Sequence, residues 1–162
     1  RSIANHCSTV QYYHDDIGVN SRLDSIQAAI LRIKLSHLDE YCAARQKAAA
    51  FYDKAFANHP NIKTPVRSKN STHVFHQYTL VLQNNVDRAK LREHLSAKGI
   101  PAMVYYPVPL HLQKAYTDPR YKQGDFPVTE MLCNSVISLP IHTELEEETQ
   151  KFITDSVLEF LK

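Results

Sequence analysis

The residues from Leu23 to Ala57 include neither glycine nor proline, and their apolar side chains recur at spacings of three and four. That period belongs to an α-helix. Ile26, Ile30, Ile33 and His37 form one stripe, and Leu31, Leu35, Leu38, Cys42, Ala49, Tyr52 and Phe56 form a second. At 1.5 Å rise per residue, an unbroken helix over 23–57 reaches about 50 Å, more than one small core can cover. Two stripes on so long a rod predict different neighbours along its length, as an interdomain or intersubunit helix has. Arg32, Asp39, Arg45 and Lys47 fall on the remaining face, and Asn58-His59-Pro60-Asn61 ends the run.

Composition sets the outer limits. A chain of 162 residues is one domain's worth and buries roughly 70% of its unfolded surface, so a real core is expected. A net charge of +2, with 22% charged and 43% hydrophobic residues, lacks the basic excess of a nucleic-acid binder. Apolar runs fall short of the ~20 residues that span a bilayer, and the first residues do not read as a signal peptide. A cytoplasmic location without membrane partners is expected. Cys7, Cys42 and Cys133 are odd in number and widely spaced, which fits reduced thiols. Three glycines leave no Gly-rich loop to cradle a phosphate. The chain opens at Arg1, inside a loop-like stretch, and is expected to be part of a longer polypeptide.

Along the chain, residues 1–17 show no period and read as a loop lying on another surface. His73–Leu82 is β-branched and aromatic, and reads as a strand. Asn84-Asn85-Val86-Asp87 supplies a turn and a helix cap; Leu91, His94 and Leu95 then face inward on a helix that Gly99 stops. A second strand over Ile100–Tyr106 closes at Pro107 and Pro109. Leu110–Tyr116 is a short helical turn, Thr117–Phe126 a polar loop, and Pro127 starts another short helix reaching Ser135. Val136–Pro140 is a third strand. Thr143 ahead of Glu146-Glu147 resembles a capping box, opening a final helix with Phe152, Ile153, Val157, Phe160 and Leu161 on its inner face. The expected fold class is α+β or α/β: a long interdomain helix followed by a small C-terminal domain with a short, mostly antiparallel sheet and flanking helices.

Chemistry-bearing residues are few. His73 and His76, three apart on a strand, point to opposite faces, so no metal site is expected; a hydrogen-bonded histidine at a cleft edge is the better reading. Asn20 and Arg22 sit two apart in the turn before the long helix, where an amide and a guanidinium can both address an anion. A turn asparagine with a surface arginine is the equally balanced alternative. Tyr105-Tyr106-Pro107-Val108-Pro109 makes either a stiff aromatic wall, which Gln77 and Tyr78 could also line, or two half-buried edge tyrosines.

Four blocks, GVNSRLDSIQAAIL at 18–31, HVFHQYTLVL at 73–82, KGIPAMVYYPVPLHLQKAY at 98–116 and VISLPIH at 136–142, resemble in order and separation the C-terminal part of the DegT/StrS-type sugar aminotransferases. The resemblance covers nearly the whole chain. It implies the small domain of a fold-type I, pyridoxal-phosphate (PLP) dependent enzyme, a homodimer with active sites shared between subunits. Such enzymes transfer an amino group, typically from glutamate, to a keto group of a nucleotide-linked sugar. By this resemblance Asn20 matches the residue that reaches the PLP phosphate of the partner subunit. Arg22 matches an arginine near the sugar, suited to the carboxylate of a 3-keto-uronic acid. Tyr105 and Tyr106 fall close to the nucleotide sugar, Tyr105 departing from the family's usual histidine and Cys7 from a common glycine.

Fold-type I chemistry also needs a Schiff-base lysine, an acid on the pyridine nitrogen and a stacked aromatic. The family carries these upstream of Arg1, and none of the eleven lysines here stands in the matching motif, so the chain alone is expected to be inactive. The resulting division is a loop segment of the active-site region at 1–22, the long linking helix at 23–57 and the small α+β domain at 58–162. Two other readings remain: a non-catalytic dimerisation or binding module, and a PLP-dependent sugar dehydratase of the same family. The sugar, the nucleotide and the ring position are not encoded in these residues.

Overall fold

The structure, a computed structural model, describes residues 23–162 throughout and, before them, the backbone of two short strands, β1 (Ser8–Val10) and β2 (Tyr13–His14). These strands pair antiparallel, with Ser8 opposite His14 and Val10 opposite Tyr13. The leading stretch therefore includes two paired strands where the sequence predicted only loop. Two compact units divide the chain, Arg1–Asp39 and Glu40–Lys162.

The expected single helix is in fact two. α1 (Ser25–Leu35) is capped by Asp24, whose carboxylate accepts the Gln27 N–H at 2.7 Å, and α2 runs Leu38–Ala55. Between them Ser36 turns its hydroxyl back onto the Ile33 carbonyl at 2.7 Å, and the His37 N–H goes to Lys34. Serine competes for backbone carbonyls in this way and weakens a helix from within; neither glycine nor proline was needed. The first apolar stripe stays on the surface, with Ile26, Ile30 and Ile33 more than half exposed, and so does the start of the second, at Leu31, Leu35 and Leu38.

The second stripe turns inward only at its C-terminal end: Ala49 and Tyr52 of α2 and Phe56 just after it, with Ala48 beside them, are all but fully enclosed. They cover a three-stranded antiparallel sheet, in the order β3 (Ile62–Lys63), β4 (Tyr78–Leu82), β5 (Val136–Leu139). Tyr78 pairs with Leu139, Leu80 with Ile137 and Ile62 with Leu82. The side chains of β4 alternate, with Tyr78, Leu80 and Leu82 in the core and Thr79 and Val81 on the opposite face, as a strand's period of two requires. There Thr79 and Ser138 share a hydroxyl hydrogen bond of 2.8 Å.

Three sequence expectations change here. The strand predicted over His73–Leu82 forms only from Tyr78, because Phe75 takes a positive φ of 49° that no strand accommodates. The strand predicted over Ile100–Tyr106 reduces to Met103, which exchanges both backbone hydrogen bonds with Ser138. Thr143 does not cap the last helix, α5 (Glu147–Phe160): its N-cap is Glu146, without a side-chain bond. Ile153 and Val157 of α5 are buried as expected, but Phe152 is half exposed.

Helix α3 (Arg88–Ala97) follows its sequence signals. Asp87 accepts from the Ala89 and Lys90 N–H groups, and Leu91 and Leu95 are fully buried. At its end the Ile100 N–H reaches Leu95 and the Gly99 N–H reaches Ser96, the paired bonds of a Schellman motif. Helix α4 (Pro127–Ser135) starts on its proline and runs directly into β5. Among the described residues, no helix is long and apolar enough to cross a membrane.

Gly99 has φ +74°, and a Cβ placed on it meets nothing within 4 Å. Substitution there tests backbone strain alone. Gly99→Ala is expected to destabilise the protein by about 1–2 kcal/mol, measured as a lower denaturation midpoint in urea with an unchanged slope.

Candidate functional site

Of the four site residues proposed from sequence, the structure describes Tyr105 and Tyr106. Asn20 and Arg22 lie outside the described residues. The two tyrosines sit on a strap between two fixed points. On the near side is the Met103–Ser138 pair, with N···O distances of 3.0 and 2.8 Å. Beyond it the rings of Tyr105 and Tyr106 stand 5.9 Å apart, edge to face, and the peptide joining them is cis. Tyr106 is 71% exposed and Tyr105 38%, so both rings are open to solvent. Pro107 and Pro109 follow, and Pro109 is buried.

The far side of the strap ends in a short 3₁₀ turn, Leu110–Leu112. His111 places Nε2 3.0 Å from Glu130 Oε1, with only 8% and 17% of the two side chains exposed. The same carboxylate oxygen accepts the Gly124 N–H at 2.8 Å. An ionised carboxylate can only accept, so His111 carries its proton on Nε2. These bonds, the Gly124 N–H first, hold the Glu130 carboxyl below its ordinary range. The His111 ring rests 4.8 Å from Phe126, itself 5.5 Å from Tyr121. Beside them opens a cavity of about 400 Å³ whose lining includes Leu110, Tyr116 and Thr129.

A second constellation surrounds the lead-in to β4. Arg45 donates from Nη1 to the carbonyls of Phe75, His76 and Ile141 at 3.0, 3.3 and 3.2 Å. His73 Nδ1 accepts the Phe75 N–H at 2.8 Å, and Gln46 donates to the His73 carbonyl. Arg67 lies over the Phe75 ring and pairs with Asp53, which also accepts from the Tyr78 hydroxyl at 2.7 Å. Burial and this bond push the Tyr78 hydroxyl well above the ordinary tyrosine pKa; burial alone does the same to Tyr52. His73, His76 and Gln77 border a cavity of about 310 Å³, so the histidines do stand at a cleft edge. Tyr78 is buried and lines no wall with Tyr105, correcting that expectation.

Sequence reasoning missed Arg45 and the His111–Glu130 pair. Arg45 stands four residues before Ala49 and seven before Tyr52, on the core stripe, so the helical period held the signal. Nothing in the sequence joins His111 to Glu130. Among the described residues, no three His, Cys, Asp or Glu side chains gather as a metal site.

The cofactor expected from the sequence finds no complete site in the described residues. All eleven lysines are described. Ten are exposed, and Lys98 is half-buried and paired with Glu159, whereas a Schiff-base lysine must stand enclosed beside the cofactor's other partners. The described residues therefore supply no enclosed lysine that could hold a PLP ring.

Residues 1–158 match the model of the DegT/DnrJ/EryC1/StrS aminotransferase family. The chain belongs to that family. It is 39% identical over 160 residues to the dTDP-3-amino-3,4,6-trideoxy-alpha-D-glucose transaminase of Streptomyces venezuelae, covering 99% of this chain and 41% of that protein. It is 40% identical over 153 residues to the UDP-2-acetamido-2-deoxy-3-oxo-D-glucuronate aminotransferase of Pseudomonas aeruginosa, covering 94% and 41%. The crystal structure of S. venezuelae DesV in complex with a ketimine intermediate superposes with a TM-score of 0.88 at 38% identity, over 100% of this chain and 43% of that one. A more distant structure of the same fold, from Bacillus subtilis, holds PMP as its cofactor. This DegT chain spans about two fifths of the length of these relatives. It corresponds to their C-terminal portion, and its sheet and helices match the small domain of the family's structures.

The bonds to Glu130 lower its pKa on folding from an ordinary 4.5. A carboxyl depressed in this way contributes stability above its unfolded pKa and loses it as pH falls through the folded value. Glu130→Gln is therefore expected to be less stable than the parent at neutral pH. The gap should narrow as pH falls from 4.5 through the lowered folded-state pKa, read from urea midpoints at neutral and acid pH; a difference that stays constant into acid would rule the ionised carboxylate out as its source.

Proposed function

We propose that the polypeptide carrying this chain is a PLP-dependent aminotransferase that moves an amino group from glutamate to a keto group of a nucleotide-linked sugar. The observation that carries this reading is the match along nearly the whole chain, at about 40% identity, to two transaminases of nucleotide-linked 3-amino sugars. Bound PLP supplies the electron sink that lets the amino group leave one carbon and join another. The residues of this chain bind and orient. Asn20 donates its amide to the cofactor phosphate, across a homodimer whose subunits share their active sites. Arg22, two residues on, binds the sugar, bidentately where the sugar bears a carboxylate. One relative acts on a 3-oxo-glucuronate, which favours a 3-keto sugar or uronic acid as the substrate class.

Tyr105 and Tyr106 supply the wall against the nucleotide sugar. Their ring faces cover the apolar side of the substrate and displace water from it, while the phenol groups offer hydrogen bonds to its oxygens. An exposed aromatic pair on a braced strap suits that role, since two rigid rings lose little conformational entropy when a ligand settles on them.

The first test is the purified full-length protein with PLP. A lysine-bound cofactor gives a visible absorption band; its absence would leave a non-catalytic dimerisation or binding module in place of an enzyme. Product analysis with glutamate and candidate keto sugars then separates amination from dehydration. Two substitutions examine the roles of this chain. Asn20→Ala should weaken PLP retention about tenfold, the loss of one hydrogen bond to a charged group, measured by dialysis against limiting PLP. Tyr106→Ala should raise KM for the nucleotide sugar about tenfold with little change in kcat, the mark of lost uniform binding.

A further inference from the structure

We infer that His111 and Glu130 are positioning residues for substrate binding: their hydrogen bond fixes the far end of the strap and so sets where Tyr105 and Tyr106 stand. This rests on the role proposed above for the two tyrosines. The strap from Met103 to His111 spans nine residues, and its near end is secured by the two backbone bonds between Met103 and Ser138. Its far end is secured by a side chain, the 3.0 Å contact between His111 Nε2 and Glu130 Oε1. Both anchors hang from one continuous piece of structure, because α4 carries Glu130 and passes without a break into β5, which carries Ser138. The tyrosines are thus braced between two points on a single rigid element.

The stretch between the anchors transmits position well. Pro107 and Pro109 each fix φ near −65° and remove two of the softest torsions. Pro109 is buried, and its carbonyl accepts the Leu112 N–H at 3.0 Å, joining the strut to the turn that holds His111. A displacement of the imidazole would therefore pass to Tyr106, five residues away, instead of being absorbed by loose backbone. The tether itself is sheltered: His111 has 8% of its side chain exposed, whereas Tyr106 is 71% exposed. Exposed ion pairs hold little against solvent, but a sheltered pair whose acceptor also binds the Gly124 N–H is locked in place.

The alternative is that the pair only stabilises the loop from Thr117 to Phe126 through Gly124. The holoenzyme separates the two when KM, kcat and amide hydrogen exchange are measured together on three variants. His111→Phe keeps a ring against Phe126 but removes the donor, Glu130→Ala removes the acceptor, and Glu130→Gln keeps an amide oxygen for both donors. Positioning predicts that His111→Phe and Glu130→Ala raise the nucleotide-sugar KM about tenfold, change the glutamate KM less than about twofold, and speed exchange of the amides at 104–110. Glu130→Gln should recover most of that loss. A lower melting temperature with both the sugar KM and the exchange at 104–110 unchanged overturns the proposal. So does faster exchange without a KM change, since the tether would then have no bearing on substrate. Should the unaltered protein transfer no amino group, the reading of function fails, and binding of the nucleotide sugar by calorimetry replaces KM in the same comparison.

Discussion

Everything in the larger unit depends on one face of α2 lying against β4 and β5. The apolar face of a sheet has to be buried against another element, and Ala48, Ala49, Tyr52 and Phe56 contribute to that cover. The aromatic side chains fill the depth between helix and sheet, with Tyr52 and Tyr78 ring centroids 4.9 Å apart. Burying each large side chain contributes on the order of 1.5–3 kcal/mol, so this contact outweighs any single hydrogen bond in the unit. Polar groups trapped by it are all answered. The Tyr52 hydroxyl donates to the Pro140 carbonyl at 2.8 Å, Tyr78 to Asp53, and Gln150 to the Ala48 carbonyl at 3.0 Å. No buried side-chain nitrogen or oxygen among the described residues lacks a partner.

Arg45 extends the same contact to the end of the sheet. Because β4 and β5 run antiparallel, the start of one and the end of the other lie together, and one guanidinium nitrogen collects carbonyls from both: Phe75 and His76 ahead of β4, Ile141 after β5. A left-handed backbone at a bulky aromatic residue is costly. Here it is held by Arg45 on the carbonyl, His73 on the N–H and Arg67 on the ring. The strap of Tyr105 and Tyr106 uses the opposite side of β5, so a sheet of three short strands organises both constellations.

α1 obeys a different logic. Its apolar residues are exposed in the unit that contains it, and a contiguous apolar face of that kind marks a surface meant for covering. The chain spans about two fifths of its relatives' length, and the proposed shared active site of a homodimer would supply such neighbours. Membership of the DegT family and the exposed helix thus agree with each other, though each rests on different residues.

The sequence by itself determined the α+β class, the helical character of 23–57 apart from its break, the capped and glycine-stopped α3, and the family through four ordered blocks. These are local matters: helical period, Asp87 beside free N–H groups, Gly99 where φ must be positive, and patterns of consecutive residues. It misread the helix break at Ser36–His37, since a serine bonding to its own helix leaves no gap in the apolar spacing. It also made strands of 73–77 and 100–106, where β-branched and aromatic residues satisfy strand propensity as well as those that do pair. Only the tertiary structure decided those cases, by giving Arg45 three carbonyls to hold at the lead-in to β4 and Met103 a single bridge to Ser138. It alone joined His111 to Glu130, nineteen residues away, because a side-chain contact across a turn and a loop leaves no period in the chain.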